Sequence, residues 1–144
     1  MIEVKRYTDA DADLWNKFNA ESKNPLFMFD RNYMDYHRDR FQDHSLIFYE
    51  DEKLVAILPM SERENELVSH GGLTYGGFIT DNKMKQHTMD ECVTSLLQYA
   101  ETEGFDRVYY KVIPHIFHEQ PAEEDRYALF VQNARIEKIE ASTV

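Results

Sequence analysis

The 144-residue sequence predicts an α+β domain with a mostly antiparallel sheet flanked by helices. Three observations lead there. Short runs rich in strand formers crowd the middle of the chain, amphipathic helical patterns lie on either side of them, and a further strand–helix–strand succession closes the sequence. With 42% hydrophobic and 13% aromatic residues, the chain has the means to bury a core without metal or disulfide support.

The elements follow in order. Ile2 to Tyr7 reads as a first strand, and Thr8 as the cap of a helix with Asp9 and Asp11 in its first turn and Leu14, Trp15 and Phe18 on its apolar stripe. Asn24-Pro25 interrupts the pattern. A second short helix is expected from Asp30, turning Tyr33, Met34 and His37 inward. Residues 45–49 and 53–59 form a hairpin about the acidic turn Glu50-Asp51-Glu52. After a polar turn at 61–65, Glu66 to Ser69 is a third strand, and Leu73 to Thr80 resumes it. Thr88-Met89-Asp90-Glu91 has capping-box spacing, and Cys92, Val93, Leu96, Leu97 and Ala100 then mark a long helix that ends at Gly104 in a Schellman motif with Phe105. Arg107 to Ile113 is a strand stopped by Pro114. Pro121 opens a last helix with Tyr127, Leu129 and Phe130 inward, and Arg135 to Ile139 close as a strand.

The formal net charge of −11 argues against binding a nucleic-acid phosphate backbone and equally against an anionic membrane surface. A single cysteine, Cys92, allows no internal disulfide. With no leader-like or membrane-spanning apolar run, the expectation is a cytoplasmic domain spanning residues 1–144.

Four of the five glycines fall in Ser69-His70-Gly71-Gly72-Leu73-Thr74-Tyr75-Gly76-Gly77. Glycine permits φ > 0 and close approach of backbone to a ligand. Gly71, Gly72, Gly76 and Gly77, with Thr74, are therefore candidates to line a crevice that binds substrate, and His70 and Tyr75 are candidates for acid–base work. A bulged strand explains the same glycines, and the two readings are compatible. The window matches neither G-x-G-x-x-G nor a phosphate-binding P-loop. His115 and His118 lack the spacing of a zinc hydrolase helix and lie between two prolines, so no metal is expected and both are assigned to substrate contact. Tyr109 and Tyr110 alternate across a strand, and Tyr110 is taken as the one facing a cleft. Glu123, Glu124 and Asp125 complement a helix dipole, with Glu123 also a candidate general base.

The element order resembles that of the GNAT (acyl-CoA N-acyltransferase) fold. Phe29 to His37, Ser69 to Gly77, and Ile113 to His118 followed by Pro121 to Asp125 resemble bacterial GNAT-type proteins related to the FemAB aminoacyl transferases, in particular the N-terminal half of a tandem-domain member. The resemblance implies transfer of an acyl or aminoacyl group to an amine of a sugar or cell-wall precursor, with acetyl-coenzyme A as a donor and a homodimer or a second GNAT-like domain as partner. One departure stands against coenzyme A. The family's Arg/Gln-x-x-Gly-x-Gly/Ala loop, whose backbone N–H groups cradle a pyrophosphate, has no counterpart in Gly76 to Lys83, where Asp81 adds negative charge and only Lys83 and Lys85 add positive charge. The alternative that follows is a non-catalytic lobe of the same fold that binds substrate or a partner domain.

Overall fold

The computed structural model describes residues 1–137, the side chain of His37 excepted. Two four-stranded sheets form its frame. The first has the order β1 (Ile2–Arg6), β3 (Leu46–Glu50), β4 (Lys53–Leu58), β7 (Ile79–Thr80), all antiparallel. The second has the order β2 (Gln42–Asp43), β5 (Met60–Arg63), β6 (Glu66–Ser69), β8 (Arg107–Tyr109), antiparallel except for the parallel pair β6–β8. The sheets share a ribbon. β2 runs into β3 and β4 into β5, with His44 N donating to Met60 O at 2.9 Å across the bend.

Both faces of the first sheet are covered, and the side chains of β3 and β4 divide between them. Leu46, Phe48, Ala56 and Leu58 join Met89, Cys92, Val93, Leu96 and Ala100 of α3 (Gln86–Thr102) and Ala128 of α4 (Glu124–Val131) in one apolar cluster. Ile47, Ile57 and Ile79 join Trp15 and Phe18 of α1 (Ala12–Ala20), Met34 of α2 (Arg31–Met34) and Phe29 in the other. This explains why these strands read as continuous apolar runs. α3 ends as the sequence predicts. Gly104 takes φ +84°, its N–H reaches Glu101 O at 3.1 Å, and Phe105 N reaches Ala100 O at 2.9 Å, the two bonds of a Schellman motif.

Several expectations are corrected. Residues 61–63 are strand rather than turn, with Ser61 Oγ accepting from Gly71 N and Glu62 from Arg6 and from Gln42 of β2; the turn shrinks to Glu64-Asn65, with Glu64 at φ 56°. Only Ile79–Thr80 of the stretch from Leu73 pair as strand. The 107–113 strand ends at Tyr109. α3 starts two residues before Thr88, which is buried inside the helix and caps nothing. The second helix is a single turn, capped by Asp30 accepting from Asn32 N at 2.9 Å, and it buries Arg31 while leaving Tyr33 exposed; the inward placement of His37 lies outside the described residues. Leu14 and Leu97 sit at the exposed margins of their stripes. α4 begins after Pro121, at Glu124, and turns Asp125 and Ala128 inward, with Tyr127 and Phe130 facing out and Leu129 half-buried. Of the expected closing strand, 135–137 are exposed and irregular, and 138 and 139 lie outside the described residues. Among the described residues no helix is long and apolar enough to cross a membrane.

Leu96 is fully buried between α3 and the first sheet. Leu96→Ala is expected to lower unfolding stability by about 2–5 kcal/mol, read as a fall in the chemical denaturation midpoint at unchanged slope.

Candidate functional site

The glycine window is a nine-residue excursion, 70–78, from a sheet edge. On the neighbouring ribbon, Ile57 pairs with Ile79 and Met60 with Ser69, so three steps on one side face ten on the other. The surplus chain folds back on itself and on the segment after β8. His70 N donates to Pro59 O (3.2 Å), Leu73 N to His70 O (3.0 Å) and Gly76 N to Lys111 O (3.3 Å), while Lys111 N donates to Ser69 Oγ (2.8 Å) and Lys111 Nζ to Leu73 O (2.8 Å).

The glycines are in contact rather than open. A Cβ on Gly71 would stand 2.8 Å from the Phe41 ring, one on Gly72 3.2 Å from the same ring, and one on Gly76 3.1 Å from Ser69 Cβ. Gly77 needs its φ of +102° and lies against the Tyr110 hydroxyl. The side-chain-poor crevice expected over Gly71 and Gly72 is thus filled by Phe41, whose approach requires hydrogen at both positions. Thr74 is exposed, and Tyr75 is buried and stacked on Phe117 with ring centroids 5.1 Å apart.

Each end of the excursion carries a polar cluster. At its start, buried His70 accepts from Gly72 N on Nδ1 (3.1 Å), which leaves the hydrogen on Nε2, 3.5 Å from Asp43 Oδ1. Asp43 also meets Arg31 Nη2 at 3.1 Å and Ser45 Oγ at 2.9 Å. Burial would raise the Asp43 carboxyl, but His70, the Arg31 charge and the Ser45 hydroxyl and amide outweigh it and hold the pKa at about 2. Arg31 is itself buried, with its guanidinium 3.8 Å above the Tyr7 ring centroid, and it reaches Asp35 at 2.8 Å.

At the other end, Phe78 N donates to Tyr110 Oη (2.7 Å), which donates to Asp125 Oδ2 (2.5 Å). Burial raises both groups. It lifts the Tyr110 hydroxyl well above its ordinary value, assisted by the Asp125 charge, and it lifts Asp125 against the lowering effect of Tyr110. Asp125 lines a cleft of about 20 Å³, room for about one water molecule, together with Lys23, Asn24, Thr80, Ile113 and His118 among others, and Tyr110 lies behind it as its hydrogen-bond donor. β6 and β8 pair in parallel as far as Val68 and Tyr109, and beyond that pair Phe78 to Thr80 and Ile113 line this cleft. Lys23 N donates to Thr80 O at 2.8 Å, and Asn24 Oδ1 accepts from Glu119 N and Gln120 N. His118 Nδ1 is buried without a hydrogen-bond partner.

The structure therefore brings together Tyr110 and His118 among the sequence-derived candidates, and adds Lys23, Asn24 and Asp125. His70 belongs to the other cluster, with Arg31 and Asp43. His115 lies exposed in a 3-10 turn (His115–Phe117), and Glu123 is exposed at the start of α4, paired with Arg126 at 3.2 Å. Arg31, Asp43, Lys23 and Asn24 carry no sequence signal as site residues: Arg31 meets Asp43, Asp43 meets His70, Lys23 meets Glu124 and Asn24 meets Gln120 only through the fold. Among the described residues no three metal-ligating side chains gather. The start of α3 has no side-chain cap and no acid in its first turn, and Lys83, Lys85 and His87 surround it; Asp81 is engaged by Lys83 N at 2.9 Å.

No protein-family profile matches the chain, and no curated protein matches it. Solved structures do. A ribosomal-protein-alanine N-acetyltransferase from Brucella melitensis biovar Abortus 2308 aligns over 100% of this chain and 98% of its own, at 13% identity and a TM-score of 0.62. An aminoglycoside acetyltransferase from an uncultured soil metagenomic sample aligns over 100% and 97% at 12% identity and 0.59. A glucosamine-6-phosphate N-acetyltransferase from Arabidopsis thaliana aligns over 100% and 98% at 10% identity and 0.54. The architecture is the GNAT acyltransferase fold.

Two outcomes follow. Gly76→Val should crowd Ser69 and lower stability by about 1–3 kcal/mol, seen as a lower melting temperature. Because the Asp43 pKa falls from 3.8 unfolded to about 2 folded, its contribution is complete above pH 4 and lost as pH drops toward 2. Asp43→Asn should flatten the acid limb of the stability–pH curve by roughly 2 kcal/mol in urea titrations.

Proposed function

We propose that this chain is an N-acyltransferase domain, FemAB-like in type, that moves an acyl group from a thioester donor such as acetyl-coenzyme A to an amine of a sugar or cell-wall precursor. The observation that carries the reading is a cleft beside β7 lined by His118 and by Asp125, which accepts from the Tyr110 hydroxyl. The donor supplies an activated acyl carbon on a thiol leaving group. His118, whose Nδ1 has no protein partner, accepts the proton of the attacking amine. Tyr110, held as a proton donor by Asp125, returns one to the departing thiolate, and its displacement from Phe78 N frees a backbone donor for the acyl oxygen. Glu123, exposed beside cleft-lining Ala122, attracts the ammonium form of the acceptor. His70, Tyr75 and the glycines hold the excursion in shape. The uncapped start of α3 with Lys83 and Lys85 suits the donor's phosphates, in place of a glycine nest.

A second reading is favoured by one observation. The cleft is narrow, and the outer edge of β7 is occupied by Lys23 N, as a non-catalytic lobe of the fold would allow. In that case the exposed Tyr127 and Phe130 of α4 suit a second copy or domain.

Calorimetry with acetyl-coenzyme A, followed by thiol-release assays on amino-sugar acceptors, separates the two. Transfer should occur and His118→Ala should reduce its rate by about 10²–10⁴-fold without loss of folding. Absence of donor binding at about millimolar concentration, a free energy near −4 kcal/mol, would establish the non-catalytic lobe.

A further inference from the structure

The first sheet has two outer edges, and they are finished differently. At β7 the amide of Lys23 donates to Thr80 O at 2.8 Å, whereas at β1 no further strand follows among the described residues. We propose that the free edge of β1 pairs antiparallel with β1 of a second copy of this chain, joining the first sheets of both into one about a two-fold axis at Val4.

The phase of the ladder decides which backbone groups are on offer. Lys5 faces Ile47 and Arg6 faces Leu46, and beyond them Tyr7 N donates to Ser45 O at 2.8 Å. Bonded pairs alternate along an antiparallel ladder, so Glu3 and Lys5 exchange bonds with β3, while Ile2, Val4 and Arg6 turn their N–H and C=O groups outward. The strand holds no proline, and its register with β3 is unbroken, so nothing bends the edge out of reach. Glu3, Lys5 and Arg6 are exposed, and Ile2 and Val4 are half-buried against the α3 cluster.

The side chains select the occupant and its register. An axis at Val4 sets Val4 opposite its own copy and Ile2 opposite Arg6, which gives every outward group on both strands a partner. On the other face it sets Glu3 of each copy opposite Lys5 of the other, an attractive cross-strand pair formed twice. Sliding the copy either way centres the axis on Glu3 or on Lys5, which opposes like charges and pairs fewer residues. Glu3 enters no ion pair among the described residues. Lys5 holds Asp11 at 2.9 Å, and an ammonium with three donors can bond Glu3 of the copy without leaving Asp11. The charge of −11 on each chain opposes the approach at long range, a repulsion that about 0.15 M salt confines to roughly 8 Å. Pairing along five residues is a small interface, so the dimer is a weak one. The inference does not rest on acyl transfer, and it does not use Tyr127 and Phe130 of α4.

The test is sedimentation of the full chain from about 10 μM to about 1 mM in about 0.15 M salt, with amide exchange followed by NMR at both ends of that range. A monomer–dimer equilibrium is expected, with the amides of Ile2, Val4 and Arg6 exchanging at least about twofold more slowly at the higher concentration. Glu3→Lys, an exposed substitution that retains a cooperative melt, should raise the dissociation constant about tenfold or more. Lys5→Glu should do the same, and an equimolar mixture of the two variants should associate as tightly as the parent, because every lysine then meets a glutamate. A chain that stays monomeric at about 1 mM overturns the proposal. So does a dimer in which the Val4 amide exchanges as freely as in the monomer, or a Glu3→Lys chain that dimerises as the parent does. Glu3→Lys and the Val4 amide decide the matter even where Lys5→Glu, which loses the bond to Asp11, does not fold.

Discussion

From Leu46 to Phe48 and from Ala56 to Leu58 the paired strands carry no polar side chain, so water must be excluded from both faces of that hairpin. Alternation sends Leu46, Phe48, Ala56 and Leu58 toward α3 and Ile47 and Ile57 toward α1, so one short hairpin fixes two helical layers. The two helices cannot be exchanged, because a one-residue slip would reverse both sets at once. Everything functional is hung on the ends of this element. At one end its ribbon bends into the second sheet, and there His44 is clamped with Nδ1 at 3.0 Å from Glu62 and Nε2 at 2.6 Å from the Tyr99 hydroxyl. That geometry places the hydrogen on Nδ1 and makes Nε2 the acceptor, tying β5 to α3 through the bend.

The excursion 70–78 converts this frame into a site. A strand that paired without interruption would run straight past the neighbouring ribbon and leave β6 and β8 parallel to their ends. Ten steps against three force the chain outward, and the bonds from Gly76 to Lys111 and from Lys111 to Ser69 decide where it goes. The glycines are required by contact. Phe41 can lie on Gly71 and Gly72 because neither has a Cβ, and Gly77 takes a backbone angle that side chains resist. Their packing leaves two separate hollows, one at Tyr110 and Asp125 and one at Arg31 and Asp43.

These two clusters differ in electrostatic character. Around Arg31 the ions are paired, and removing any one would leave a buried partner uncompensated, which makes the cluster a rigid anchor for α2. Around Tyr110 the groups are raised by burial and held toward their protonated forms. A buried carboxylate can therefore serve opposite ends in one small fold: Asp43 stays charged because His70, Arg31 and Ser45 outweigh its burial, while burial pushes Asp125 toward neutrality against the partial offset of the Tyr110 hydrogen bond.

Local chemistry was legible wherever a residue's neighbours in sequence are also its neighbours in space. The hairpin at 46–58 and the Schellman close at Gly104 depend on contacts a few residues apart, the strand at Ile2 and the apolar stripe of α3 show in side-chain periodicity, and the α+β class follows from their order. The strand at Met60–Arg63 was hidden because its polar side chains resemble a turn until Ser61 finds Gly71 and Glu62 finds His44. The same reason hid the inward Arg31 and Asp125, whose charges are acceptable inside only beside Asp43 and Tyr110 on other segments. The sequence by itself determined which stretches are apolar on one face, on both, or on neither, since that is a property of side chains. Only the tertiary structure decided which polar groups converge, because a buried charge is stable only with a partner that the chain brings from far away.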